Sequence, residues 1–120
     1  MLGLLQDHKL DLAQSITEQL LYQVEHYGAV LNANRTYFLS RSQPPFLSRM
    51  VLEVYKHIQD MTWLRTTLPT LIKYYQYWKK SEHFHENSGL SRFYDFGSTP
   101  APEVIASERG QKNCAHFDRV

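Results

Sequence analysis

The chain has 120 residues and a formal net charge of +1, from 13 Lys and Arg against 12 Asp and Glu. It lacks the basic excess that binding to a phosphate backbone requires, so no nucleic-acid partner is expected. Its apolar runs are far shorter than the roughly 18 to 20 residues that cross a bilayer, and the single cysteine, Cys114, excludes an intrachain disulfide.

The first predicted element is a helix that ends near Gly28. Its apolar side chains recur every four residues and predict one buried face: Leu12, Ile16, Leu20 and Val24, with Ala13 and Leu21 beside them. Asp11 is one candidate for its cap, and the capping box Ser15 to Glu18 is another. Gly28 suits the left-handed conformation that closes a helix.

A structured loop is predicted from Ala29 to Gln43, because no helical periodicity is visible there. Ser42, followed by Gln43 and two prolines, then predicts the start of a second helix. Its apolar face has helical spacing throughout: Leu47, Met50, Val51, Val54, Tyr55 and Ile58.

Asp60 is predicted to cap a short turn through Trp63 and Leu64, which Pro69 interrupts. A third helix should follow and complete a helical hairpin, with these side chains inward: Leu68, Leu71, Ile72, Tyr75 and Trp78.

The last third of the chain is predicted to be mainly loop, with one possible short strand at residues 90–96. Residues 1–80 should be helical, and the whole of 1–120 should belong to one domain. Three helices with single apolar faces do not close an obvious core. Either partners complete that core, or the chain is a piece of a longer one.

The densest polar segment lies between the first two helices, from Asn32 to Pro45. It holds two Asn amides, two guanidinium groups and a Gln, together with aromatic rings. Amides and Arg supply paired hydrogen bonds, and rings stack on the apolar faces of sugars, so the segment suits a polyhydroxylated ligand. The alternative is that Arg35 and Arg41 are surface charges and Ser42 only a helix cap.

This segment resembles the N-x-x-R-x-Y-Y-L-x-R-S-Q-P-P signature of the trehalases, glycoside hydrolases that cleave α,α-trehalose. The similarity continues through Leu68-Pro69 and Tyr77-Trp78 and into residues 90–95 and 100–103, so it covers about residues 19 to 120. The aromatic Phe38 stands where the family frequently has a second Tyr.

The resemblance implies an all-α fold, part of an (α/α)6 toroid, and inverting hydrolysis by an acid and a base. It also implies that trehalose is bound by four residues of the signature, Asn32, Arg41, Ser42 and Gln43. A later Arg-Pro-Glu of the family reads Ala101-Pro102-Glu103 here, so Pro102 and Glu103 are carried over as substrate-binding residues while the arginine is absent.

The family's acid lies in a Ser-Gly-(Trp/Phe)-Asp segment that this chain lacks, and its base motif is also missing. No catalytic residue is therefore assigned within the chain. Twelve helices of about 12 residues need more than 120 residues, so we expect an inactive fragment that the remainder of the parent catalytic domain completes. The alternative is a noncatalytic carbohydrate-binding or protein-interaction helical module.

The resemblance implies no cofactor, and no metal site is expected. His83 and His85 have the ligand chemistry for a metal but no third ligand in a defined spacing. Cys114 and His116 are too close in sequence to suggest a catalytic pair. Asn34-Arg35-Thr36 matches a glycosylation acceptor, but a glycan would obstruct the loop.

The aromatic residues Tyr74, Tyr75, Tyr77 and Trp78 could form a stacking platform, but core packing is favoured for them because Tyr75 and Trp78 continue the apolar face of the third helix. The start of the chain at Met1 to Leu5 is too short for the apolar part of a signal peptide. A cytoplasmic location without a membrane partner is therefore favoured, unless the true N-terminus is missing.

Overall fold

The computed structural model describes residues 1–35, 38–80 and 82–94. These residues form four helices and one short hairpin: α1 (Leu2–Gln6), α2 (Leu10–Tyr27), α3 (Leu47–Ile58), α4 (Met61–Trp78), β1 (Phe84–His85) and β2 (Leu90–Ser91). The chain divides into two units. The first comprises Met1–Val30 and Gln43–Tyr94, and the second contains the loop Leu31–Ser42.

The first unit has a hydrophobic core to which every one of its four helices contributes. The helices α2 and α3 contact each other most extensively, and α4 packs against both. The buried core residues are Leu5, Ala13, Leu21, Val24, Ala29, Val30, Leu47, Val51, Val54, Trp63, Tyr74, Tyr77 and Trp78. No helix in the described ranges is long and apolar enough to cross a membrane.

Helix α2 ends as the sequence predicts, because Gly28 adopts φ 85° and its N–H donates to the carbonyl of Val24 at 2.9 Å. Its start differs from the prediction. Lys9 precedes the first turn, and Asp11 lies within that turn. The short helix α1 was not predicted, since five residues give too little periodicity to detect.

The buried face of α2 agrees with the prediction in its second half, where Leu21 and Val24 are buried, but differs in its first half. Leu12 and Ile16 are 53% and 42% exposed, whereas Ala13 and Thr17 are fully buried. The Thr17 hydroxyl donates to the carbonyl of Ala13 at 2.9 Å, so this buried polar group is satisfied within the helix. Leu12 and Ile16 lie on one row of α2, and Ala13 and Thr17 lie on the neighbouring row. The core contains the second row, whose side chains are smaller.

Helix α3 confirms the predicted apolar face, with Leu47, Val51 and Val54 buried. The other three predicted positions are half-buried: Met50, Tyr55 and Ile58. The helix begins at Leu47 and not at the prolines, and Ser42 does not cap it because Phe46 occupies the cap position.

Helix α4 begins where Asp60 predicts a cap, since its carboxylate accepts from the N–H groups of Thr62 at 2.8 Å and Trp63 at 3.1 Å. The predicted interruption at Pro69 is wrong, because one helix continues through it. The missing N–H of a proline removes one backbone hydrogen bond, and the tertiary packing of the flanking turns keeps the helix continuous.

The inward face of α4 also differs from the prediction. Leu68, Ile72 and Tyr75 are between 50% and 64% exposed. The buried side chains are Trp63, Thr67, Tyr74, Tyr77 and Trp78. Core packing is therefore confirmed for Tyr74, Tyr77 and Trp78 and is wrong for Tyr75.

A hairpin follows α4, where a loop with one strand at residues 90–96 was predicted. Phe84 pairs with Ser91 and His85 with Leu90. The Ser91 hydroxyl donates to the carbonyl of Trp78 at 3.0 Å, which attaches the hairpin to the end of α4. The His83 ring is fully buried, with its centroid 4.3 Å from that of Tyr77.

Candidate functional site

The loop that carries the predicted binding residues is closed by antiparallel backbone pairing. Leu31 and Ser42 form an isolated β-bridge, and the N–H of Asn32 donates to the carbonyl of Arg41 at 3.0 Å. This pairing places Asn32 and Arg41 opposite each other although nine positions separate them in the chain. The structure therefore brings two of the predicted residues together at the base of the loop.

Two further backbone hydrogen bonds join described residues between Arg35 and Arg41. The N–H of Phe38 donates to the carbonyl of Arg35 at 3.0 Å, and the N–H of Arg41 donates to the carbonyl of Phe38, also at 3.0 Å. Thr36, the last residue of the glycosylation sequence, lies outside the described residues, as does residue 37. The successive bonds fix the backbone before Arg41.

The side chains of the loop differ in their exposure. Asn32 is exposed, Arg41 is half-buried with a fully buried Nε, and Ser42 is only 8% exposed. Arg35 is exposed. The alternative of a simple surface charge thus fits Arg35 but not Arg41, and the alternative of a helix cap is wrong for Ser42.

Gln43 belongs to the first unit, where three contacts hold the backbone around it. Its N–H donates to the carbonyl of Val30 at 2.8 Å. The carbonyl of the next residue, Pro44, accepts from the N–H of Phe46 at 2.8 Å and lies 3.5 Å from the hydroxyl of Tyr74. Burial raises the pKa of Tyr74, an effect that a hydrogen bond with Trp78 partly offsets.

The side chains of Asn32, Ser42 and Gln43 can both donate and accept hydrogen bonds, as a sugar hydroxyl requires, and the guanidinium group of Arg41 only donates them. Residues 29–45 contain no Asp, Glu or His, so this segment has no ordinary general acid or base. Its chemistry is suited to binding and not to proton transfer.

The other predicted site residues, Pro102 and Glu103, lie outside the described residues, as do Ala101, Cys114 and His116. Within the described ranges no three His, Cys, Asp or Glu side chains form a group that could hold a metal ion, and this includes the surroundings of His83 and His85.

Sequence reasoning missed Tyr74 as a neighbour of the polar segment that ends at Pro45. In the sequence Tyr74 stands out only as part of an aromatic run, and thirty positions separate it from Pro44. No local pattern reports a contact between residues so far apart. Only the packing of α4 reveals it.

Comparison with known proteins gives a consistent result. The family model described as "Trehalase" matches residues 1–118. The cytosolic neutral trehalase of Emericella nidulans is 43% identical over 111 residues, which is 88% of this chain and 15% of that protein. A probable trehalase of Oryza sativa subsp. japonica is 40% identical, over 84% of this chain and 19% of that protein.

The neutral trehalase of Saccharomyces cerevisiae provides a structural match, with a TM-score of 0.70 and 35% identity over 88% of this chain. The match covers 20% of the yeast chain, so the present chain spans between 15% and 20% of the length of these three relatives. The predicted all-α fold, an incomplete part of an (α/α)6 toroid, is confirmed. On the agreement of sequence and fold, the chain belongs to the trehalase family.

Proposed function

We propose that the parent protein of this chain hydrolyses α,α-trehalose to two molecules of glucose with inversion, and that residues 1–120 contribute to a single catalytic domain. The observation that carries the proposal is the backbone pairing of Asn32 with Arg41. It brings together two polar residues of a family signature that also contains Ser42 and Gln43.

The four residues of the signature are assigned to the binding of trehalose. Arg41 is the principal donor, because a guanidinium group makes charge-assisted and paired hydrogen bonds. Asn32, Ser42 and Gln43 would donate to and accept from the remaining hydroxyls. Pro102 and Glu103 are assigned to the same task. The proposal requires no metal or cofactor, and the acid and base come from the remainder of the parent protein.

The similarity to relatives named cytosolic neutral trehalases supports a cytoplasmic location for the parent protein. It also supports trehalose as the substrate, since those relatives are named for cleaving it. The near-neutral charge of the chain is consistent with an uncharged disaccharide as the partner.

The test is the time course of glucose release from trehalose by the purified parent protein, followed by proton NMR. In an inverting hydrolysis, water attacks one anomeric carbon on the face opposite to the leaving glucose. Each trehalose therefore yields one β-glucose and one α-glucose before mutarotation. Formation of only α-glucose would exclude inversion. Binding of trehalose without any glucose release would favour the noncatalytic carbohydrate-binding module.

A further inference from the structure

The C-terminal half of helix α4 contacts backbone on both sides of the loop Leu31–Ser42. The ammonium group of Lys73 donates to the carbonyl of Glu25 in the last turn of α2. The next residue, Tyr74, has its hydroxyl 3.5 Å from the carbonyl oxygen of Pro44, which precedes α3. Two consecutive side chains of α4 therefore reach the segments that lead into the loop and out of it.

These two segments are also joined directly, by the hydrogen bond from the N–H of Gln43 to the carbonyl of Val30. The backbone of Gln43 is thus held on its N–H side by Val30. On the other side, the carbonyl of Pro44 accepts from Phe46 and lies beside the Tyr74 hydroxyl. Gln43 itself carries a proposed substrate-binding amide.

Tyr74 is well suited to hold this carbonyl in place. The residue is only 2% exposed, and its ring packs edge-on against Trp78 with centroids 6.2 Å apart. Such packing restricts the ring to one rotamer. A tyrosine phenol keeps its proton at neutral pH and can donate, and burial raises the pKa of Tyr74 further in the same direction.

We propose that Tyr74 is a positioning residue for trehalose binding, which holds the Pro44 carbonyl and thereby keeps the Gln43 side chain in its binding orientation. The inference rests on the proposed function, because it assumes that Gln43 binds sugar. Tyr74 itself need not contact the substrate. Its effect should therefore pass through Gln43, and this dependence distinguishes it from a residue that only stabilises the core.

The experiment measures trehalose hydrolysis by the parent enzyme and its Tyr74→Phe variant, which loses one oxygen and keeps the packed ring. We expect KM to rise about three- to tenfold, the size of one lost neutral hydrogen bond, while kcat changes less than about twofold. The matched control is Tyr75→Phe, the same change at the next position, whose side chain is 64% exposed. Its KM should equal that of the unsubstituted enzyme.

A double-mutant cycle with Gln43→Ala tests the route of the effect. If Tyr74 acts through Gln43, then Tyr74→Phe should raise KM less than about twofold in an enzyme that already carries Gln43→Ala. Melting temperatures of all four proteins, measured in parallel, show whether a variant is folded at the assay temperature. Because the cycle compares KM values, a modest loss of stability does not imitate the expected coupling.

Two results would overturn the positioning role while leaving the proposed function intact. One is an unchanged KM in Tyr74→Phe when Gln43→Ala raises it, and the other is full additivity of the two substitutions. A parent protein that releases no glucose from trehalose would overturn the proposed function, and the positioning role with it.

Discussion

The indole Nε1 of Trp63 donates to the carboxylate Oε1 of Glu18 at 2.8 Å and joins α4 to α2 across 45 positions of sequence. The amide Nε2 of Gln14 donates to the same oxygen at 2.8 Å. Trp63 is buried and lies in the first turn of α4, where its backbone N–H also donates to the carboxylate of Asp60. One residue thus combines a helix cap with a contact between helices.

We expect Trp63→Phe to destabilise the parent enzyme by about 1 to 3 kcal/mol, because it removes apolar area and leaves Glu18 without the indole donor. Glu18→Gln keeps an acceptor and should cost less. Free energies of unfolding from thermal melts of the two variants and their double mutant should show a coupling of about 0.5 to 1.5 kcal/mol. Additive losses would mean that the bond contributes nothing of its own.

Arg41→Ala should lower kcat/KM for trehalose about ten- to a hundredfold, because a charged donor in a partly buried site contributes about 1.5 to 3 kcal/mol. The control is Arg35→Ala, since Arg35 is exposed while the Nε of Arg41 is fully buried. Steady-state kinetics with folded variants provide the measurement. Equal losses at the two positions would remove the special role of Arg41.

The 120-residue chain expressed alone should be helical by circular dichroism, should release no glucose from trehalose, and should self-associate. Its binding segment has no acid or base, and α4 exposes an apolar face of Met61, Leu68, Ile72 and Tyr75. Analytical ultracentrifugation measures the association. Ile72→Gln should weaken it, whereas Thr62→Gln on the same helix should not. A stable monomer at micromolar concentration would contradict the expectation.

The stability of helix α3 should depend on pH in part through the carboxyl group of Glu53. A hydrogen bond from Lys56 at 3.1 Å, the nearby charge of Arg49 and those of other cations hold the pKa of Glu53 below its ordinary value of 4.5. A carboxyl whose pKa is lower in the folded state stabilises that state above about pH 4.5, and this contribution is lost as the pH falls through the folded value.

Glu53→Gln should therefore reduce the loss of helical ellipticity between pH 7 and pH 3. The difference from the unsubstituted chain should be small and should shrink in high salt, because Arg49 and Lys56 are exposed and their charges are screened. Circular dichroism at 222 nm follows both titrations. Identical curves for the two proteins would show that the ion pairs do not form in solution.

The sequence by itself determined the features that depend on residues close together in the chain. Gly28 ends α2 and Asp60 begins α4, because a helix end is closed by groups within one turn of it. The apolar face of α3 could be predicted from Leu47, Val51 and Val54 because only one row of that helix is apolar. The polar segment from Asn32 to Pro45 was recognisable from its composition and from its family signature.

Tertiary structure decided which of two apolar rows each longer helix buries. On α2, periodicity placed Leu12 and Ile16 inside, but Ala13 and Thr17 are the buried residues. On α4, Tyr74 is buried and Tyr75 is exposed. Rows one residue apart differ by only about 100° around a helix, so only the position of the neighbouring helices selects between them. The same holds for the pairing of Asn32 with Arg41 and the approach of Tyr74 to Pro44, which join residues that no local interaction connects.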